Sequence, residues 1–477
     1  MGTAADLELS LTGSGPLAEQ IRRQIAALIR GGTLAPGDLL PSTRALAARL
    51  SVSRATVVAA YELLALDGLI RSRPGIGAIV QPSPPPALRD VAVGGDSLEP
   101  DALWEDITPP RARAWESPAA FNFRLGRPSV EHFPYPRWRA LLSEQFRARA
   151  WADGSYPDPA GDPELRTAIA RHITLSRGLA VDAERIVVTS GAQQAIDLAA
   201  RVLAAPGDVV AVEDPGYPPA HAALRANRLH VAGVAVDEHG LLVDRIPARA
   251  RLVYVTPSHQ FPLGTTMSHT RRVALLDWAA QHDAVIVEDD YDTEFRYAGQ
   301  PLPPLHQLDE AGRVAYVGSF SKTLLPALRI GFLVATPRVV AALARAKFAA
   351  DFGAPAHLQR ALATFIDEGG FARHIRRMRR VYEQRHHLIR TVLLDDFADV
   401  LQPIDSLAGL HLAARLPAAR DDRAITRAAQ ERDVGLGALS RCAVEQRSQQ
   451  GLLFGYGAIP TDRIEAGLAR LRQVLRS

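Results

Sequence analysis

Five short apolar runs, RIVVTS, DVVAVEDP, RLVYVTP, AVIVEDD and RVAYVGSFS, follow one another between residues 185 and 321. Helical periodicity fills the intervals between them. Each run is apolar at successive positions instead of alternate ones, which marks a strand covered on both faces. Covered strands interleaved with helices predict a doubly wound α/β sheet with helices on either side. The chain has 477 residues, more than one such core accommodates, so it is expected to be multidomain. No run nears the roughly 18 apolar residues of a membrane helix. The opening MGTAADLELS lacks a basic flank and an apolar core, so no secretion is expected. A single cysteine, Cys442, excludes an intrachain disulfide and fits a reducing cytoplasm.

Residues 1–80 carry a different pattern. Leu17, Ile21, Ile25, Leu28 and Ile29 fall on one face of a helix closed by Gly31 and Gly32. In PSTRALAARLSVSRATVVAAYELLALDGLI, Ser42 is placed to cap a short helix reaching Leu50. SVS then makes a tight turn, Ser53 caps a second helix from about Arg54 to Leu66, and Gly68 ends it. LIRSRPGIGAIV reads as two short strands around a Pro-Gly turn. Two helices at a tight turn followed by a hairpin form a winged helix-turn-helix, mainly α. Residues 81–115 trade periodicity for proline, glycine and acids, and predict a linker.

Arg44, Ser53, Arg54 and Thr56 cluster around the start of the second helix, and Arg71 and Arg73 lie on the wing arm beside Gly75. A recognition helix presents its N-terminal residues to base edges. Arginine pairs with guanine, while hydroxyls and backbone N–H groups hold phosphates. These seven are the candidate DNA contacts. Charge alone does not carry the assignment, since residues 1–80 hold eight arginines against six acids, a net +2. That segment resembles the winged helix-turn-helix of GntR-family transcription regulators along its whole length, through the positions LAPG, LPSTRALAARL, VSRATV and AYELLALDG.

The larger part turns on a lysine. The chain contains two, Lys322 and Lys347, and otherwise carries its positive charge on arginine. A lysine can deprotonate and attack a carbonyl; an arginine cannot. Lys322 follows the run RVAYVGSFS, at the end of a strand where open α/β sheets build their sites. AVIVEDDYDTEF ends another strand in acids and a tyrosine. RIVVTSGAQQAID ends a third and opens a helix through Ser190-Gly191-Ala192, small enough for backbone N–H groups to approach a phosphate. EDPGYP offers Tyr217 for ring stacking. Together these supply what pyridoxal 5'-phosphate requires: an amine for its aldehyde, an acid for its ring nitrogen, a phosphate cradle and a stacking face.

Residues 120–477 resemble fold type I aminotransferases through YPDPAGDPELRTAIARHI, VTSGAQQAIDLAARVL, EDPGYP, TPSHQFPLG, EDDYDTEF and SFSKTLLPALRIGF. The resemblance implies that Lys322 forms the internal aldimine and that Asp289 pairs with the pyridine nitrogen. Tyr291 would meet the ring's phenolic oxygen and Tyr217 would stack. Gly191, Ala192, Ser319, Ser321 and Arg329 would hold the phosphate, and no metal is expected. It also implies a small C-terminal α+β subdomain from about residue 355 of a 116–477 domain. One loop departs from the enzymes: His259 and Gln260 stand near the position of an asparagine beside the ring oxygen.

The fusion resembles the MocR subfamily of GntR regulators. That implies a homodimer that binds an operator on double-stranded DNA. Its cofactor-bearing domain would sense pyridoxal phosphate itself, or an amine or amino acid that reacts with it. A role in vitamin B6 or amino-acid metabolism would follow, the competing reading being a catalytic aminotransferase. Pro219, two residues after Tyr217, argues against one class of γ-amino acid effector; Arg441 or Arg447 is left to meet an effector carboxylate.

Overall fold

The computed structural model of the chain describes residues 7, 9–11, 15–73, 75–82, 99–105, 107, 119–147, 154–299, 302–417, 420–445 and 449–476. They fall into two compact units, one within Met1–Pro100 and one within Asp101–Ser477. Most of the expected linker, and Arg447, lie outside the described residues.

In the first unit α1 (Leu17–Arg30), α2 (Thr43–Leu50) and α3 (Arg54–Leu66) enclose one core, followed by the hairpin β1 (Ile70–Arg73) and β2 (Gly77–Val80). Ser42 caps α2 by accepting from the Ala45 N–H, and Ser53 caps α3 by accepting from the Thr56 N–H. The turn between them passes through Ser51 in the left-handed region, φ 55°. Ile21, Ile25 and Ile29 of α1 are buried, whereas Leu17 is exposed. The helix starts at Leu17, so its first side chain projects beyond the core, and Gln20 completes the buried face. Residues 37–40 bridge to the wing at Leu39 and Ile79, with Leu40 N–H donating to the Ala78 carbonyl and Val80 N–H to the Asp38 carbonyl.

The second unit opens with the short strand β3 (Phe121–Asn122) and the helix α4 (Tyr135–Gln145) and is built on an eight-stranded sheet. Its strands are β4 (Ile186–Thr189), β5 (Val209–Asp214), β6 (His230–Asp237), β7 (Gly240–Leu241), β8 (Ala250–Val255), β9 (Val285–Asp290), β10 (Val314–Ser319) and β11 (Gly331–Val334). The order is β4-β11-β10-β9-β8-β5-β6-β7, parallel except for β11 and the short edge strand β7. Both faces are covered. Val187, Val210, Val212, Ala315 and Val317 pack with α6 (Ala192–Leu203) and α7 (Pro218–Ala226) on one side. Ile186, Val188 and Tyr316 pack with α5 (Pro163–Arg177) on the other, while Ala211, Val253 and Ile286 pack with α8 (His269–Gln281). Double coverage is the reason these strands read as unbroken apolar runs.

The chain then passes through α9 (Leu305–Leu308), α10 (Pro337–Asp351) and α11 (Ala356–Asp367) into α12 (Gly370–Asp396). Helix α11 still packs on the large sheet, through Leu362 and Phe365. The change of core happens along α12: Phe371 belongs to the large core, and Met378, Tyr382, Ile389 and Leu393 belong to the small one. The small subdomain holds the antiparallel sheet Gln402–Pro403, His411–Arg415, Gly451–Gly455 and Gly437–Ala438, backed by Ile464–Arg476. Ahead of the main sheet, Asp101 of the expected linker caps a short turn at Ala102–Trp104 and pairs with Arg228 at 2.5 Å.

Candidate cofactor site and nucleic-acid interface

The C-terminal ends of β8, β9 and β10 and the start of α6 converge on a cavity of about 340 Å³. Lys322, in the turn after β10, projects into it. Its Nζ donates to the Gly126 carbonyl at 3.1 Å. A Cβ at Gly126 would stand 2.7 Å from that nitrogen, so only glycine leaves the amine its place. Burial lowers the Lys322 pKa, opposed by Asp292 and Asp289. A buried amine with a lowered pKa is the nucleophilic form of lysine.

The acidic run at the end of β9 is sorted by the pleat, because successive side chains of a strand face opposite ways. Glu288 accepts from the Leu305 and His306 N–H groups, both at 2.9 Å. Asp290 accepts from the Tyr316 hydroxyl at 2.8 Å and pairs with buried Arg177 at 2.6 Å. Asp289, between them, faces the cavity. Its Oδ2 accepts from the Tyr254 hydroxyl at 2.6 Å, and its buried Oδ1 has no partner among the described residues. Burial pushes its pKa up to about 7, with Tyr254 and Lys322 pulling the other way. An orphaned carboxylate oxygen in a cavity wall is fitted to a ligand N–H donor, which a protonated pyridine ring provides.

Opposite the acid, Gly191 (φ 86°) caps α6, and Ser319, Ser321, Ala192 and Arg329 line the cavity. Arg329 donates to the Ser190 carbonyl at 2.6 Å and packs over Gly191, where a Cβ would come within 3.0 Å of its guanidinium. Tyr217 lines the cavity, edge-on to Phe261 with centroids 5.3 Å apart. These groups fit a phosphorylated aromatic aldehyde: an amine, an unpaired acid, an aromatic wall and a glycine-opened helix N-terminus.

Two expectations about the site are corrected. His259 and Gln260 do not line the cavity; Phe261 does. His259 is buried behind Tyr291, whose hydroxyl donates to the His259 carbonyl at 2.9 Å, while the His259 imidazole bonds Asp292 through Nδ1 at 3.0 Å and Ser406 through Nε2 at 3.1 Å. The Gln260 amide is taken up by backbone groups, donating to the Phe261 carbonyl of its own loop and the Pro215 carbonyl of the loop after β5, and accepting from the Leu263 N–H. Arg441 is exposed and off the cavity wall. Among the described residues, the arginines that line the cavity are Arg127 and Arg329. Tyr254 and the 125–127 segment escaped the sequence reading. Tyr254 lies inside an apolar strand run, and only the pairing of β8 with β9 sets it beside Asp289.

In the first unit Arg44, Ser53, Arg54, Arg71, Arg73 and Gly75 are exposed, and Thr56 is half-buried. The Thr56 hydroxyl lies 2.8 Å from Ser53 Oγ, so both side chains take part in the cap of α3. Arg54 Nε donates to Thr43 Oγ1 at 3.4 Å, linking the two helix starts.

These two arrangements have counterparts. Residues 17–80 match the family of bacterial regulatory proteins called gntR, and residues 121–448 match aminotransferase class I and II. The probable rhizopine catabolism regulatory protein MocR of Rhizobium meliloti is 37% identical over 96% of this chain and 93% of its own. The pyridoxine biosynthesis transcriptional regulator PdxR of Corynebacterium glutamicum is 33% identical over 98% of both. Among solved structures, kynurenine aminotransferase of Pyrococcus horikoshii superposes with a TM-score of 0.72 at 26% identity, over 79% of this chain and 96% of its own. Likeness to full-length regulators spans both units, whereas the enzyme matches only the second. The chain therefore belongs to the MocR subfamily of GntR transcription regulators, a DNA-binding protein whose larger domain is an aminotransferase fold that binds pyridoxal phosphate.

Proposed function

We propose that this regulator senses the state of its Lys322 cavity and reports it as a change in operator affinity. The observation that carries the reading is the lone amine of Lys322 facing, in one cavity, an acid with an unpaired buried oxygen. Bound there, pyridoxal 5'-phosphate supplies an aldehyde reactive toward primary amines, so the molecule sensed is the cofactor or an amine or amino acid that reacts with it. Lys322 supplies the amine, and Asp289, oriented by Tyr254, holds the proton on the ring nitrogen. Tyr217 stacks, Tyr291 faces the ring oxygen, and Ser319, Ser321, Arg329 and the amides at Gly191–Ala192 hold the phosphate. Arg127 is the cavity arginine that meets a carboxylate on an incoming amine. A relative named for control of pyridoxine biosynthesis supports the B6-related form of this reading.

Operator contacts are assigned to Arg44, Arg54, Arg71, Arg73, the wing at Gly75 and the capped start of α3 with Ser53 and Thr56. A homodimer reads the operator. A ligand shifts such an equilibrium only through different affinities for two states. The test is operator affinity of apo, cofactor-loaded and amine-treated protein on the DNA upstream of its own gene, with keto-acid production followed in parallel. A shift of roughly 5–150-fold is expected, with slow turnover. Equal affinity in all three states beside brisk turnover would replace the sensor with an aminotransferase.

A further inference from the structure

The two lysines of the chain stand differently toward this cavity. Lys322 lines it. Lys347, on α10, is fully buried outside it. Its ammonium donates to Asp351 Oδ2 at 2.7 Å, to Asp351 Oδ1 at 2.9 Å and to Gln194 Oε1 at 3.1 Å. Gln194 Oε1 also accepts from the Ser190 N–H at 2.8 Å, and Gln194 Nε2 donates to Asp351 Oδ2 at 2.7 Å. The Ser190 carbonyl in turn accepts from Arg329. A continuous relay therefore runs from Lys347 through Gln194 to the Ser190–Ala192 loop and ends at Arg329.

The residue type is informative. An ammonium carries three donors, and three acceptors meet it here. A guanidinium carries five in a planar fork, and its surplus donors would be buried unsatisfied. Elsewhere the chain meets its need for cations with arginine, 53 of the 55 basic residues once the two lysines are subtracted. Local geometry selects lysine at 347.

We propose that Lys347 is a positioning residue for the phosphate end of the cofactor site, holding the Ser190–Ala192 loop through Gln194 so that its amides and Arg329 face an anion. This rests on the cofactor reading above. If Lys347 merely tied α10 to α6, its loss would weaken capture of any aldehyde alike. The discriminating probe is the phosphate: pyridoxal 5'-phosphate against pyridoxal, with affinities of full-length apo protein read by absorbance and thermal unfolding recorded alongside.

Lys347→Met, Lys347→Arg and Gln194→Met are compared with wild type. Gln194→Met leaves the Lys347–Asp351 pair in place and keeps the test open should the buried variants misfold. All three are expected to weaken pyridoxal phosphate by about tenfold, with pyridoxal affinity held within about twofold. Equal weakening toward both aldehydes, or toward neither, overturns the proposal. A wild type with no preference for the phosphorylated aldehyde overturns the cradle assignment as well. A wild type that prefers it, beside variants that keep that preference, overturns the role of Lys347 alone.

Discussion

Three adjacent carboxyls, Glu288, Asp289 and Asp290, have nearly the same chemistry in isolation and three different fates in the fold. Glu288 anchors the start of α9, Asp290 neutralises Arg177, and Asp289 is left with one oxygen bare in the cavity. The bare acid carries a measurable signature. Burial raises its pKa to about 7 in the ligand-free fold, against about 4 when unfolded. The folded state therefore binds the extra proton between those values, and its stability falls as pH rises through that window. Asp289→Asn removes this term. Apo Asp289→Asn is expected to gain on wild type from pH 4 to 7 by on the order of 3 kcal/mol, then to run parallel. Chemical denaturation across pH measures the difference. Glu213, also raised to about 7 chiefly by burial and least by the Asp289 charge, is common to both proteins, so its burial contribution cancels. A constant gap at all pH values would refute the assignment of the shift to Asp289.

At the scale of elements, α3 was legible down to its ends, because the cap at Ser53, the stop at Gly68 and the apolar spacing are all local signals. Its inner face is Val57, Ala60, Tyr61 and Leu64. Leu64→Ala should cost the N-terminal unit about 2–5 kcal/mol and abolish operator binding. Cofactor absorbance should be untouched, because the described residues of the core around Leu64 all belong to the first unit. Hydrogen exchange of the α3 amides and a cofactor titration check both halves; loss of the cofactor spectrum would contradict the separation. Strand β11 was not legible in the same way. GFLV is four residues long, and its place between β4 and β10, antiparallel to both, depends on pairing with β4, more than 100 residues earlier in the sequence. The subdomain change along α12 is equally silent in sequence, since a helix can serve two cores without interrupting its period.

For the whole molecule, sensing and DNA reading are predicted to be separable chemically and joined thermodynamically. Arg54→Ala should lose specific operator binding, a good base contact being worth about 1–3 kcal/mol, while keeping the cofactor spectrum. Lys322→Ala should keep operator binding and lose its response to cofactor or amine. Fluorescence anisotropy on operator DNA at several salt concentrations checks both, with affinity falling steeply as salt rises; a Lys322→Ala protein that still responds would place the sensing elsewhere. The two-unit plan, the capped helices, the covered strands and the candidacy of Lys322 were determined by the sequence itself, because caps, periodicity and an unusual residue choice act over a few positions. Tertiary structure alone decided that Phe261 and not His259 walls the cavity, that Tyr254 orients Asp289, and that Arg441 lies off the site. It also decided that the second lysine is tied through Gln194 to the loop at Ser190. Each of these depends on which strands and helices become neighbours, and that is settled by the burial of surfaces far apart in the chain.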